Sequence, residues 1–287
     1  MTQESVTYLT NIGISVVLAG MLTHSWASQG RSVPMRFWMM AAWVMVVTNC
    51  LFAARPLLPF WVGRLFPTLL VTVAHVGILY GARATAGRSI LWRVLIGATV
   101  AHGVVLVFFI LLGEPSYWRM VCNGLVWASL SVAAFVVFRQ GPAFFWKSIF
   151  SPANVLLLHA MFHVFRITLS ILSGAYEWTG VAKGLQLFGD LEVSMFIVAL
   201  YVSILVATLR QHYEELASAR AEMQTLSGLL PICAWCKKVR DDRGYWQQVE
   251  EYFSRRSAVD FTHGICADCA EVQIMTYKDD QKPNRSG

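Results

Sequence analysis

The sequence predicts an all-α membrane protein: a seven-transmembrane helix bundle, a coiled-coil connector helix and a small zinc-ribbon-like cytoplasmic module. Three observations carry that expectation. The 287 residues are 56% hydrophobic and only 14% charged, against about 25% charged in ordinary soluble domains. Seven stretches approach the length of about 20 apolar residues that a helix needs to cross a bilayer. Four of the six cysteines fall as two close pairs near the C-terminus, Cys233-Ala-Trp-Cys236 and Cys266-Ala-Asp-Cys269.

The apolar stretches are 8–26, 35–54, 65–82, 90–113, 118–138, 153–174 and 187–209. The first is expected to stay in the protein as a span, because it lacks the basic start and small-residue cleavage site of a secretory signal. Orientation follows from the basic residues in the short loops. A cytoplasmic C-terminus places Arg31, Arg36, Arg83, Arg88, Arg93, Arg139 and Lys147 inside, and Arg55, Arg64, Arg119 and Lys183 outside. That distribution agrees with the positive-inside tendency and puts the N-terminus outside. From Arg210 onward there are 11 Lys+Arg against 12 Asp+Glu, so the whole of the +6 net charge resides in the first 209 residues. A nucleic-acid reader concentrates positive charge in its binding domain; this tail has none to spare, and no nucleic-acid partner is expected.

The chain divides into a bundle over 1–209, a connector over 210–227, a cysteine-rich module over 228–276 and a disordered ending over 277–287. In the connector, Val202, Leu205, Leu209, His212, Leu216, Ala219, Met223, Leu226 and Leu230 recur at alternating spacings of three and four. Such a seam predicts one helix running out of the last span and pairing with its copy in a homodimer. A helix packing on its own chain is the alternative. Gly228 and Pro231 are the stop signals. After the first cysteine pair comes a polar turn, Lys237 to Gly244, and then an amphipathic helix carrying Trp246, Val249 and Phe253.

The two CxxC pairs stand 29 residues apart, a spacing that suits a tetrahedral thiolate zinc site. In a reducing cytoplasm such pairs are metal sites more often than disulfides. A module this small buries too little surface to fold alone, and zinc would supply the missing stability. Cys233, Cys236, Cys266 and Cys269 are the expected ligands. His263 stands three residues before Cys266, either as a replacement ligand or as a hydrogen-bond donor to a ligating sulfur. Four closed ligands leave no position for a substrate, which points away from zinc hydrolysis. A redox role for Cys233 and Cys236 is the competing reading, weakened by the absence of a surrounding βαβ pattern.

Two resemblances add context. The segment Arg36 to Arg83, with Ala54-Arg55-Pro56-Leu57-Leu58-Pro59 and Gly77-Ile78-Leu79-Tyr80-Gly81, together with Phe165-Arg166, resembles the membrane sensor regions found upstream of bacterial GGDEF-type diguanylate cyclases and histidine kinases. The likeness covers roughly residues 10–209. It implies a sensory bundle whose last span feeds a coiled helix into an output domain; the cyclase and kinase motifs themselves are absent here. The tail, with Leu230-Pro231-Ile232-Cys233-Ala234-Trp235-Cys236-Lys237-Lys238, Arg240-Asp241-Asp242, Gly244-Tyr245-Trp246 and His263-Gly264-Ile265-Cys266, is similar to a C-terminal appendage of bacterial sensory proteins. That likeness implies a signalling context and a cytoplasmic signalling partner, with no activity of its own.

Ionisable groups inside a membrane are expensive and default to a functional reading. The sixth stretch carries His159, His163 and Arg166 on one helical face, and the seventh carries Asp190 and Glu192. An ion pair from Arg166 to Glu192 or Asp190, lining a ligand cavity, is expected. His75 and His102, with His159 and His163, offer imidazoles for a haem or metal ion; hydrogen bonding between helices, as for Asn49 and Asn123, is the simpler expectation. Cys50 and Cys122 read as small core residues. No set of nucleophile, base and oxyanion donor and no phosphate-binding glycine loop is evident, so an enzyme is not expected. The sequence therefore points to a sensory protein of the bacterial inner membrane in contact with lipid. A transporter or channel, or a membrane thiol oxidoreductase, are the alternatives.

Overall fold

The computed structural model describes residues 3–28, 30–89, 91–112, 116–175, 179–227, 230–241, 243–255 and 260–280. Seven long helices lie over the seven apolar stretches: α1 (Gln3–Ser28), α2 (Val33–Ala53), α3 (Phe60–Thr85), α4 (Trp92–Leu111), α5 (Ser116–Phe138), α6 (Pro152–Ala175) and α7 (Thr179–Ser227). Helices are what such sequences must form in lipid, where no water pairs with a free backbone N–H or C=O. Five of them, α2, α3, α5, α6 and α7, are long and apolar enough to cross a membrane. The apolar part of α4, Ile96–Leu111, is shorter, and α1 is not among the five. A membrane-embedded helical protein is the result.

Burial supports the same conclusion from the opposite side. On α6 the imidazoles of His159 and His163 are buried, while Leu158, Met161 and Phe165 face outward, each at least 59% exposed. Polar groups inside and large apolar groups outside is the arrangement of a helix with lipid around it.

The compact unit Met1–Glu215 packs α2 against α1 and α3, α3 against α4 and α5, and α5 against α6. Helix α7 enters the same core through Phe196, Ile197, Leu200, Tyr201 and Ile204. Between apolar helices in lipid, association rests on close packing rather than on exclusion of water. The Gly77-to-Gly81 motif serves that purpose: a side chain at Gly81 would collide with the Trp38 indole, and one at Gly77 would meet the Ala41 Cβ at 3.0 Å. Trp38 in turn joins Phe138 and Phe145, whose rings stack at 5.4 Å. Pro59 and the single turn Arg55–Leu57 break the chain between α2 and α3.

The second unit, Leu216–Gly287, contains a small hairpin, β1 (Val239–Arg240) paired antiparallel with β2 (Trp246–Gln247), then α8 (Val249–Ser254) and α9 (Ala267–Asp280). Ile232 bridges to Val239, whose side chain is fully buried. The turn is held by the Asp241 carboxylate, which accepts from the backbone N–H of Arg243 at 3.0 Å and of Tyr245 at 2.8 Å, with Gly244 at φ 89°. Trp246, expected in a helix, lies in β2 instead, because its backbone pairs with Arg240; only six residues from Val249 remain helical. Helix α9 continues through Asp280, so Tyr277 to Asp280 are helical rather than part of a disordered ending; residues 281–287 lie outside the described residues. Gly228 does too, and α7 ends beside it at Ser227. Of the proposed seam, Leu209 and Leu216 are exposed, and the side chains of Met223 and Leu226 lie outside the described residues.

Candidate functional site

Spacing on three helices builds the site. Helix α6 presents His159 and His163 one turn apart, α3 presents His75, and α7 presents Glu192 and Phe196, again one turn apart. All three imidazoles are at most 6% exposed. The Nε2 of His159 lies 3.1 Å from the Nε2 of His75 and 3.2 Å from the Nε2 of His163. On the opposite side of the His159 ring, Nδ1 is hydrogen-bonded to Glu192 Oε1 at 2.6 Å. Phe196 covers the ring face at a centroid distance of 3.5 Å, nearly parallel. His75 is oriented by its own helix, with Nδ1 donating to the Val71 carbonyl at 2.8 Å, and it stacks against Trp127 of α5. Glu192 and Phe196 therefore fix His159 in position and rotation, and Val71 fixes His75.

Among the described residues, the ligand atoms of His159, His163 and Glu192 come within 4.8 Å of one another, a grouping able to hold a metal ion. Arg166 completes the neighbourhood. Its guanidinium lies against α7 at Gly189, so close that a Cβ there would stand 2.8 Å from Cζ, and its charge acts on Glu192. The structure thus brings together His159, His163, Arg166 and Glu192 of the expected set, with Glu192 directing Oε1 to His159. The side chain of Asp190 lies outside the described residues.

Sequence reasoning offered His75 only as one imidazole among four and did not single out Phe196. A histidine 84 residues away along the chain carries no local signal of its partner. His102 goes elsewhere. Its Nε2 donates to the Asn123 side-chain oxygen at 3.0 Å, and its Nδ1 accepts from Thr72 Oγ1 at 2.9 Å, which in turn accepts from Trp127 Nε1 at 3.0 Å. Helices α3, α4 and α5 are tied together by that network.

Beside the histidines, a cavity of about 240 Å³ is lined by Arg55, Arg64, Arg119 and Arg166 together with Asn49 and Asn123. Its wall shares Val71, Trp127 and Val193 with the histidine cluster.

The cysteines occupy exposed or half-buried positions in the second unit. The first pair caps a tight turn closed by Cys233 N–H to the Lys238 carbonyl, 2.8 Å, and Lys237 N–H to the Cys233 carbonyl, 3.0 Å, with Lys237 at φ 60°. The backbone N–H of Cys236, then that of Trp235, hold the Cys233 thiol below its ordinary pKa. The N–H of Cys269 does the same for Cys266 at the start of α9. Each pair is thus arranged to stabilise a thiolate. Among the described residues, the two pairs do not meet in one ligand group, and neither does His263. Cys50, expected in the core, faces outward from α2.

No family model matches the chain, no curated protein matches it, and no solved structure matches it.

Proposed function

We propose that the protein is a sensory component of the bacterial inner membrane, in which a seven-helix bundle with its N-terminus outside detects a signal and passes it to a non-catalytic cytoplasmic module. One observation supports this above the others: α7 supplies Glu192 and Phe196 to the buried cluster and continues as the same helix to Ser227, next to the cysteine-bearing segment. A change at the cluster would alter how α7 is held within the bundle. In thermodynamic terms, the stimulus binds one arrangement of the bundle better and shifts its population. The arginine-lined cavity suits a small anionic stimulus, since guanidinium groups pair well with carboxylates and phosphates. The cysteine module would be held by zinc through Cys233, Cys236, Cys266 and Cys269 and would dock a cytoplasmic signalling protein, with α7 paired between two copies of the chain.

The test is cross-linking of cysteines introduced at Leu216 and Met223 in full-length protein in membranes, in the wild-type bundle and with Glu192→Gln. Different cross-linking in the two backgrounds is the expected result; no seam cross-link in either would remove the dimeric relay. The same cavity gives the transport reading its observation, and flux of a small anion in proteoliposomes that depends on Arg166 and Glu192 would favour it instead.

A further inference from the structure

We infer that His75, His159 and His163 form a binding site for a divalent first-row transition-metal ion inside the bundle. The inference does not depend on the relay reading, since occupancy of the site is measured separately from any response of the tail.

Hydrogen positions carry it. The Val71 carbonyl can only accept, so His75 has its hydrogen on Nδ1 and a bare lone pair on Nε2. With Glu192 ionised, its carboxylate takes the hydrogen of His159 Nδ1 and leaves Nε2 bare. These two bare nitrogens stand 3.1 Å apart. Two lone pairs at hydrogen-bonding distance with no hydrogen between them repel, and a buried contact of that kind needs a positive centre. The third imidazole nitrogen, of His163, points at the same atom from 3.2 Å.

A metal ion satisfies all of this. Nitrogens bound at about 2.0–2.1 Å around a tetrahedral ion stand about 3.3–3.4 Å from one another, within a few tenths of an ångström of the His75–His159 and His159–His163 contacts. The ligand atoms already within 4.8 Å of one another are those of His159, His163 and Glu192, so binding draws His75 in toward His163. The groups behind the rings are also those that metal-bound imidazoles use: a carboxylate behind His159 and a backbone carbonyl behind His75. Imidazole ligands select zinc, copper, iron or nickel over magnesium and calcium. Three protein ligands leave one position open. The Glu192 carboxylate offsets part of the ion's charge in the membrane interior. His163 Nδ1 has no hydrogen-bond partner, which makes His163 the least firmly oriented of the three.

The experiment uses full-length protein with Cys233, Cys236, Cys266 and Cys269 all replaced by serine, so that the tail contributes no thiolate ligand. The protein is purified in detergent, equilibrated with Zn²⁺ alone, freed of loose metal and analysed by mass spectrometry. Roughly one zinc per chain is expected from a three-histidine site. His159→Gln and His75→Gln should abolish retention and His163→Gln should lower it, Glu192→Gln should weaken affinity about 10–100-fold, and His102→Gln should leave it unchanged. No retained zinc in a folded, monodisperse cysteine-free chain would overturn the inference and assign the contact to a shared proton; retention indifferent to His75 and His159 would overturn it as well. Should the glutamine variants fail to fold, Cu²⁺ bound to the unsubstituted histidines gives a second readout. Nitrogen hyperfine splitting from several imidazoles is expected in its electron paramagnetic resonance spectrum, and its absence would contradict the site.

Discussion

Two histidine networks occupy the same bundle and differ in how their hydrogens add up. Around His102, each donor meets one acceptor: Trp127 Nε1 gives to Thr72, Thr72 to His102 Nδ1, and His102 Nε2 to Asn123. Nothing further is needed, and the network fastens three helices. Around His159, two rings face each other through Nε2, with a third ring directed at the same atom, and with Glu192 ionised neither of the facing nitrogens carries a hydrogen. A polar residue buried in a membrane is therefore not informative by itself. What separates a fastening from a receptor is whether its donors and acceptors close without a guest.

The comparison is broken most severely by removing one member of the buried pair. His159→Ala leaves the Glu192 carboxylate buried without its partner, at a cost of about 3–5 kcal/mol, read as a lowered thermal midpoint in detergent. His159→Leu with Glu192→Leu removes both hydrogen-bonded partners, and most of that loss should return. A double variant as unstable as the single one would show that the two side chains are not energetically coupled. His102→Ala should cost less, about 1–3 kcal/mol for polar groups left unsatisfied, and should leave zinc loading of the cysteine-free chain intact. If loading fell with it, the two networks would be one.

Packing outside both networks provides the next grade of effect. Gly81→Ala forces a methyl group into the Trp38 indole, and overpacking of that kind costs about 1–3 kcal/mol. Zinc retention should be unaffected, since the clash falls on Trp38 and not on any of the three histidines. The smallest effect concerns the tail. In the metal-free state Cys233 and Cys266, held below their ordinary pKa by backbone N–H groups, are thiolates at a lower pH than a free cysteine. Alkylation followed against pH should therefore begin earlier at these two than in a model thiol peptide; coincident curves would mean the turns do not stabilise the anion.

How much of this was legible in the sequence depends on how far each interaction reaches along the chain. The apolar stretches are local, and seven helices lie over them, of which five meet the requirements of a span by length and composition. The one-turn spacing of His159 and His163 is local too. His75 is brought to them by the packing of α3 in the bundle, and the direction of each imidazole is decided by Val71 and Glu192, which no periodicity reveals. The paired cysteines show the converse: the spacing within each pair predicts a tight turn, and the first forms one, yet the path between the pairs depends on a hairpin and a short helix whose marginal length leaves little local signal. Trp246 illustrates that weakness, since its helical spacing with Val249 and Phe253 lost to backbone pairing with Arg240.

The claim that the buried cluster governs the cysteine module is tested most directly by amide hydrogen exchange over residues 230–277 in full-length protein in nanodiscs, comparing wild type with Glu192→Gln. Altered exchange is expected in the hairpin and in α9, although the substitution lies inside the bundle. Identical exchange in the two proteins, with the cluster demonstrably changed in zinc affinity, would contradict it.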